Sequence, residues 1–531
     1  MRTWSAAFVA GLMGATALVS SGAFAATPRD TVVMAKQIDD IISLDPAESF
    51  EFSGSEVIGN LYDKLLTFDP QNVSDIRGQL AESWSVSEDG TTYSFKMRKG
   101  IKFHSGNPVT AKDAAWSLQR AVILDKQPGF ILTQFGFTKD NVKERIQAAD
   151  DDTLVVRTDK AYAPTFFFYC LTASVASIVD SKEAMKHEKN GDLANEWLKT
   201  NSASSGAYRL RRWEPKESYT LEANEAYWDG APKTKRVVVR NVAEAASQRL
   251  LLEKGDIDYA RNLEKDQLIG IAGNKDLKTS QGVKGSLFYF SLNQKNPNLA
   301  KPEVREALKY LVDYKSIEEN LLKGTFQTHQ AFLPKGFLGA SEEKPYGFDV
   351  AKAKDLLAKA GLGQGFQVTM DVRNVSPYTD VAQALQGSFA QAGIKLDLIP
   401  GDGRQTLTKY RARNHDMYIG EWGPDYQDPH TNAQTFAMNP DNSDDGKTKT
   451  LAWRNAWDIP EMTKATEAAV VERDAGKRAQ IYKDLQAQHQ KVSPFVIMFQ
   501  KIEVAAHRAN VDGFVIGPSF DNNYYKNITK K

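Results

Sequence analysis

Signals for β-strands and α-helices alternate along most of this chain, and this alternation limits its fold more than any other feature. Apolar side chains recur at every second position after Thr92, and the spacing predicts a β-hairpin over residues 92–103. A helix is predicted next, with Thr110 as its N-cap and Asp113 three residues on.

The same arrangement returns later in the chain. A helical pattern over residues 243–254 stops at Gly255 and is followed by a short strand pattern at 257–260. Pro302 stands where the first turn of another helix is expected, and residues 350–360 predict a further one. Repeated units of this kind predict an α/β fold.

The first 25 residues predict a signal peptide. Arg2 is basic, an apolar stretch follows, and Ala23-Phe24-Ala25 matches the pattern that a signal peptidase cuts. Removing them from 531 residues leaves 531 − 25 = 506, more than one hydrophobic core organises, so we expect two or more lobes. We expect a protein that is soluble after cleavage and located in the periplasm.

Charge and motifs exclude several classes of function. Lys plus Arg and Asp plus Glu both number 67, so charge gives no case for nucleic acid or an anionic membrane. The sequence lacks the common hydrolase and phosphate-loop motifs, and its seven histidines are scattered. We therefore expect no enzyme, no cofactor and no metal. Cys170, the only cysteine, lies in an apolar run typical of a core.

One segment concentrates groups able to bind a ligand. A strand pattern at residues 416–419 runs into a loop that contains Trp422, Asp425 and Asp428. Strand ends are where α/β lobes present ligand-binding groups. The alternative is a turn in which both aspartates cap backbone amides and Trp422 packs in the core. The residues alone favour this structural role about two to one.

Motifs spread over the chain resemble one known family. They include Ser43-Leu44-Asp45-Pro46, residues 60–66, 80–84 and 96–106, the stretch from Ala111 to Arg120, and Gly255-Asp256-Ile257-Asp258. The chain is similar to bacterial extracellular solute-binding proteins of family 5, the dipeptide- and oligopeptide-binding subunits of ABC importers. The family usually has Gly-Thr-Gly-Pro-Tyr where this chain has Ser205-Gly206-Ala207-Tyr208.

The resemblance implies a fold and a division of the chain. The fold is the two-lobed periplasmic-binding-protein fold, type II, of the large cluster with an extra subdomain, and a hinge joins the lobes. Residues 26–288 with 503–531 would form lobe I, with the extra subdomain at about 70–200. Residues 289–502 would form lobe II.

The resemblance also implies binding residues. Asp425 matches the aspartate that pairs with the ligand's α-amino group, which reverses the preference for a structural turn, and Trp422 lies beside it. Dipeptide binders hold the ligand carboxylate with an arginine just before a Pro-Tyr pair. Here Ser376 stands at that position before Pro377-Tyr378, and Arg373 is the candidate substitute, with a solvent-exposed charge as the equal alternative. Phe50 and Glu51 match a loop that lines the pocket.

The function implied is that of a periplasmic substrate-binding protein of an ABC importer that captures short peptides. Its partners would be the peptide and the permease and ATPase of the inner membrane, with the binding protein itself a monomer. The same transport role for an opine, a sugar conjugate, a metal chelate or haem is the alternative. A secreted hydrolase, or a chaperone using the same cleft, belongs to other classes.

Overall fold

A computed structural model describes residues 27–446 and 448–531. The predicted signal peptide lies outside the described residues. The architecture is built on one 11-stranded mixed sheet. Its strands are Thr31–Lys36, Tyr208–Glu214, Ser218–Ala223, Arg236–Asn241, Tyr259–Ala260, Leu277–Leu292, Phe326–Thr328, Gln367–Arg373, Lys395–Gly401, Met417–Trp422 and Phe495–Arg508.

Two long antiparallel strands run through the middle of this sheet and link its halves. We call Leu277–Leu292 and Phe495–Arg508 the crossing strands. They pair from Leu277 opposite Arg508 to Ser291 opposite Phe495. On the side of Phe495–Arg508, the sheet continues with Tyr259–Ala260 and then Thr31–Lys36. On the side of Leu277–Leu292, it continues with Met417–Trp422 and then Gln367–Arg373. The chain therefore passes from one half to the other and returns.

The hydrophobic cores follow the same division. Residues 288–419 with 496–499 form one core, and a second one beside it uses residues 287–497. Two cores of the other half draw on residues 32–277 and 505–528. This distribution accords with the lobe boundaries expected above, which stay a prediction.

A separate layer stands beside the large sheet. Its four-stranded antiparallel sheet has the order Ala81–Val86, Thr92–Met97, Thr153–Arg157, Ile146–Ala148. A hairpin of Leu66–Asp69 and Asn72–Gly78 precedes it, and Val511–Asp512 pairs with Thr529–Lys530 near the C-terminus. The core of this layer also takes in Tyr426 and Val470 from the distant half of the chain.

Helices cover the sheets. The α-helices are Phe52–Leu61, Ala111–Leu124, Phe130–Thr133, Val142–Arg145, Pro164–Cys170, Ser181–Ala184, Asn195–Leu198, Ala245–Lys254, Lys265–Ile271, Pro302–Tyr310, Tyr314–Asn320, Val350–Lys359, Tyr378–Ala390, Gly403–Arg411, Pro429–Ala437, Leu451–Arg454, Pro460–Val471 and Ala475–Val492. Short 3₁₀ turns lie at Gln127–Gly129, Ser174–Ala176, Met185–His187 and Phe520–Asn522.

Most local predictions are confirmed. Thr110 caps its helix and forms the reciprocal capping box with Asp113. Pro302 occupies the first turn of its helix, and Gly255 ends the helix Ala245–Lys254 in the left-handed conformation. Cys170 is buried.

The predicted hairpin over residues 92–103 is wrong. Its first strand, Thr92–Met97, does bury Tyr93, Phe95 and Met97 on one face, as the alternation predicts. The strand pairs with Ala81–Val86 and Thr153–Arg157, and not with the residues after Gly100. Gly100 does adopt a positive φ of 79°. The sequence correctly predicts a turn at Gly100. It does not predict which strands pair with Thr92–Met97, because those strands come from other parts of the chain.

A buried ion pair links two of the motifs that carry the family resemblance. Arg120 donates two hydrogen bonds to the Asp45 carboxylate, at 2.7 and 2.5 Å, and both side chains are inaccessible to solvent. Arg120 also donates to the Leu193 carbonyl, and Asn195 donates to Asp45. A buried charge pair is tolerated only when its remaining hydrogen bonds are made, as they are here. These motif residues hold the fold together.

Candidate functional site

A cavity of about 300 Å³ lies where the two halves meet the four-stranded layer. Its walls come from seven parts of the chain: residues 49–55, Phe68, Pro128 with Ile131, residues 172–175, Ser286 on the first crossing strand, and residues 421–427 and 518–521. The pairing of the crossing strands is irregular between Val283 and Leu287, next to Ser286. A cavity walled by both halves is the kind of site that a closing hinge would enclose.

Aromatic rings form much of the wall. Phe52 is half-exposed, at 51%, and stacks on Phe520 with ring centroids 4.4 Å apart. Trp422 is half-buried and packs edge-on against Phe436 at 5.7 Å. Phe50 lies edge-on to Phe130 at 6.0 Å. Rings of this kind offer a ligand apolar area and faces that attract cations.

Asp425 is placed by the loop after strand Met417–Trp422. Its backbone amide donates to Thr431 Oγ1 at 3.2 Å, which fixes the residue at the start of helix Pro429–Ala437. The side chain lines the cavity and makes no ion pair among the described residues. Burial raises the pKa of Asp425 to about 7. A carboxylate in this state gains from a cationic partner inside the cavity.

Asp428, three residues later, has a different role. Its carboxylate accepts from the His430 amide at 2.9 Å and so caps helix Pro429–Ala437. It also receives two hydrogen bonds from Arg478, at 2.7 and 2.6 Å, in a fully buried pair. The structural alternative, in which both aspartates cap backbone amides, therefore describes Asp428 and not Asp425.

Glu421 also lines the cavity but is already paired. Its carboxylate lies 3.1 Å from Lys501 Nζ, and the Tyr378 hydroxyl donates to it at 3.5 Å. Burial and the nearby Glu421 raise the pKa of Tyr378. The guanidinium of Arg373 lies 5.4 Å from the centre of the Tyr378 ring and is exposed. Neither Arg373 nor Tyr378 is among the residues that line the cavity.

Glu51, the last predicted site residue, precedes helix Phe52–Leu61. Its carboxylate accepts from the Phe50 amide at 3.2 Å, and it stands next to the cavity wall without belonging to it. Burial raises the pKa of Glu51, and the neighbouring carboxylates of Asp40 and Glu48 add to this. The structure thus brings Phe50, Trp422 and Asp425 to the cavity and leaves the other three predicted residues around it.

Sequence reasoning missed several wall residues. Ser49 and Gln427 are buried, and the Ser49 hydroxyl and the Gln427 amide oxygen have no hydrogen-bond partner among the described residues. Phe520 and Asp521 come from the segment after the second crossing strand. Ser49 and Gln427 lie next to predicted residues in the sequence, so the family motifs could have identified them. Phe520 and Asp521 carry no local signal, because only the path of the chain brings them here.

A network of buried charges supports the cavity floor. Lys284, on the first crossing strand, donates to the carbonyls of Gly517 and Ser519 and lies 4.5 Å from the centre of the Phe520 ring. Its ammonium pairs with Glu503 at 2.9 Å on the second crossing strand. Although burial opposes ionisation, Arg261 and Lys284 hold the pKa of Glu503 well below its ordinary value. The network ties the crossing strands to the loop that carries Phe520.

Within the part of the chain that the structure describes, no helix is both long and apolar enough to cross a membrane. Among the same residues, no three histidine, cysteine, aspartate or glutamate side chains gather as a possible metal site.

Comparison with known proteins identifies relatives over nearly the whole chain. A family model described as "Bacterial extracellular solute-binding proteins, family 5 Middle" matches residues 75–444. The probable D,D-dipeptide-binding periplasmic protein DdpA of Escherichia coli (strain K12) is 27% identical over 516 residues, 96% of either chain. The glutathione-binding protein GsiB of Escherichia coli O157:H7 is 26% identical over 511 residues, 95% of either chain.

A solved structure confirms the fold. It is the ABC transporter-associated periplasmic binding protein DppA from Helicobacter pylori, in complex with the peptide STSA. The two chains match with a TM-score of 0.78 at 24% identity, over 94% of this chain and 98% of the other. The α/β periplasmic-binding-protein fold expected from the sequence is therefore confirmed.

Proposed function

Because this chain belongs to the bacterial extracellular solute-binding proteins of family 5, we propose that it captures short peptides between its two lobes. The family consists of periplasmic solute-binding components of ABC importers, and this chain is one of them. Delivery of the peptide to a permease and its ATPase in the inner membrane, by a monomeric binding protein, is part of the proposal. The finding that carries it is the unpaired carboxylate of Asp425 in the cavity wall.

The chemistry of Asp425 suits a ligand with an amino terminus. An ammonium ion loses its hydration when two lobes close on it, and that cost is offset only by a fixed anion close by. Asp425 supplies the anion, and Trp422, three residues before it, supplies an aromatic surface of the same cavity. Peptides combine an ammonium group with apolar side chains, so both features of the wall would be used.

Closure of the lobes is the proposed mechanism of capture. The crossing strands are continuous between the halves and form the natural axis of movement. A ligand that contacts both halves stabilises the closed form by the difference between its affinities for the two forms. To turn a mostly open population into a mostly closed one takes about 5.5 kcal/mol of such preference.

The first experiment is mass spectrometry of small molecules released by denaturing the protein after purification from its native periplasm. We expect peptides of a few residues. Recovery of an opine, a sugar conjugate, a metal chelate or haem would retain the transport role and contradict the peptide assignment. Turnover of a released peptide pool by the purified protein would instead support the hydrolase alternative.

Asp425→Asn is the matching variant. The amide keeps the shape of the side chain and removes its charge, so we expect binding of the recovered peptide to fall by at least 100-fold in calorimetric titration. Asp140→Asn, at an exposed position outside the cavity, is the matched control and should bind normally. Unchanged affinity in Asp425→Asn would remove Asp425 from the proposal.

A further inference from the structure

The charged side chains that line the cavity, among the described residues, are all carboxylates. Glu421, Asp425 and Asp521 line it. Glu421 is neutralised by Lys501 at 3.1 Å and Asp521 by Lys64 at 2.9 Å, whereas Asp425 has no such partner among the described residues. One negative charge of the wall is therefore uncompensated when Asp425 is ionised.

No positive side chain balances it from within the cavity. Among the described residues that line the wall, there is no lysine, arginine or histidine. Arg373, the candidate carboxylate partner, is exposed and lies over Tyr378 instead. A ligand carboxylate enclosed here would lose its hydration without gaining a counter-ion, which is unfavourable for a buried anion.

The helix that begins at the cavity does not replace the missing cation. The N-terminus of helix Phe52–Leu61 carries the partial positive charge that attracts anions. Protein carboxylates already occupy its vicinity, because the Ser53 amide donates to Asp40 at 3.1 Å and the Phe50 amide donates to Glu51 at 3.2 Å. Neither acid makes a salt bridge among the described residues, so an entering anion would meet two further negative groups.

We propose that the solute carried by this protein has a net positive charge: a short peptide whose amino and guanidino groups outnumber its carboxylates. A plain zwitterionic peptide is then a poor ligand, because its carboxylate has no partner in the cavity. The inference rests on the proposed function, since it assigns the charge of the peptide that the cavity encloses. Because the described wall around Asp425 has no positive side chain, the cavity would select against anionic ligands.

The test compares tri-alanine with tri-alanine amide, which differ only in the charge at the C-terminus. Calorimetric titration of the full-length mature protein at pH 7, where the α-amino group of both peptides (ordinary pKa about 8) is still mostly protonated, should give at least tenfold higher affinity for the amide. The tenfold preference should shrink in Asp425→Asn, where the wall has lost its uncompensated charge. Asp140→Asn, outside the cavity, should keep the preference of the unmodified protein.

The remaining outcomes distinguish failure of the charge preference from failure of peptide capture. Equal or tighter binding of free tri-alanine keeps peptide capture and overturns the charge preference. If Arg373→Gln then abolishes that binding, the carboxylate partner is Arg373. If neither peptide binds at millimolar concentration, peptide capture fails, and the solute released from the native protein decides the charge. A neutral or anionic solute overturns the inference, and a cationic one supports it.

Discussion

At the scale of single residues, two aspartates of one loop illustrate how environment assigns a role. Asp425 and Asp428 are three positions apart. Arg478 reaches Asp428 with both terminal guanidinium nitrogens, and the pair is buried in the protein. Asp425 has only the cavity before it, and burial raises its pKa to about 7. The one without a partner is the one available to a ligand.

The raised pKa of Asp425 predicts how the stability of the ligand-free protein changes with pH. An unfolded aspartate titrates near pH 4 and the folded one near 7, so the folded state holds one more proton between these values. The free energy of unfolding therefore falls as pH rises from about 4 to 7 and stays lower above it. Asp425→Asn removes this loss of stability. We therefore expect the free energy of unfolding of the variant to exceed that of the parent by about 1–3 kcal/mol at pH 8.

Urea denaturation at pH 4.5 and pH 8 measures this difference. Near pH 4.5 the two proteins should be almost equally stable, since Asp425 is then protonated in the folded state. Groups near Asp425, including Tyr426, Asp428 and Arg478 as well as Glu421 and Asp521 across the cavity, are common to both proteins and cancel in the comparison. A variant less stable than its parent at pH 8 would contradict the assigned pKa.

At the scale of elements, helix ends are fixed by local chemistry. Gly255 closes helix Ala245–Lys254 with φ of 86°, a conformation that side chains other than glycine rarely adopt. A Cβ at this position would also lie 2.8 Å from Arg508 Nη1. The backbone conformation requires the glycine, whereas the end of the flexible Arg508 side chain can move aside. A requirement of the local backbone explains why the sequence identifies this helix end.

Replacing Gly255 by alanine should therefore destabilise the protein by about 1 kcal/mol or more. Gly347→Ala is the matched control, because a Cβ there meets no atom within 4 Å and the backbone has no positive φ. We expect the control to change the free energy of unfolding by less than about 0.5 kcal/mol. Chemical denaturation followed by circular dichroism measures both. Equal effects of the two substitutions would contradict the assigned helix end.

At the scale of the whole molecule, contacts between distant segments surround the cavity. Phe166, from the four-stranded layer, lies 5.9 Å from Tyr426 and 5.0 Å from His430, measured between ring centres. Nearby, the Ala163 amide donates to the Val470 carbonyl, and Arg478 donates to Thr165. These contacts join the four-stranded layer to the distant half of the chain, next to Tyr426 of the cavity wall.

A ligand held between the halves should stabilise the molecule as a unit. At 100 times its dissociation constant, a ligand that binds only the folded protein adds about 2.7 kcal/mol to the free energy of unfolding. We expect differential scanning calorimetry to show the transition moving up with ligand concentration. The Asp425→Asn variant, which should bind at least 100-fold more weakly, is expected to gain no more than about 0.4 kcal/mol at the same concentration. If the transition did not move, the ligand would not bind the folded protein in preference to the unfolded chain, which would contradict the prediction.

The sequence by itself determined the α/β class, most helix ends, the buried cysteine and the family. These depend on residues close together in the chain, such as Thr110 with Asp113 or the glycine after a helix. The partners of strand Thr92–Met97 and the wall at Phe520 and Asp521 were decided only by the tertiary structure. The tertiary structure alone also decided the difference between Asp425 and Asp428. That difference depends on the position of the Arg478 guanidinium, which is 50 residues from Asp428 in the sequence. Local patterns encode backbone conformation, whereas a cavity and its charge balance arise from segments that meet only when the chain folds.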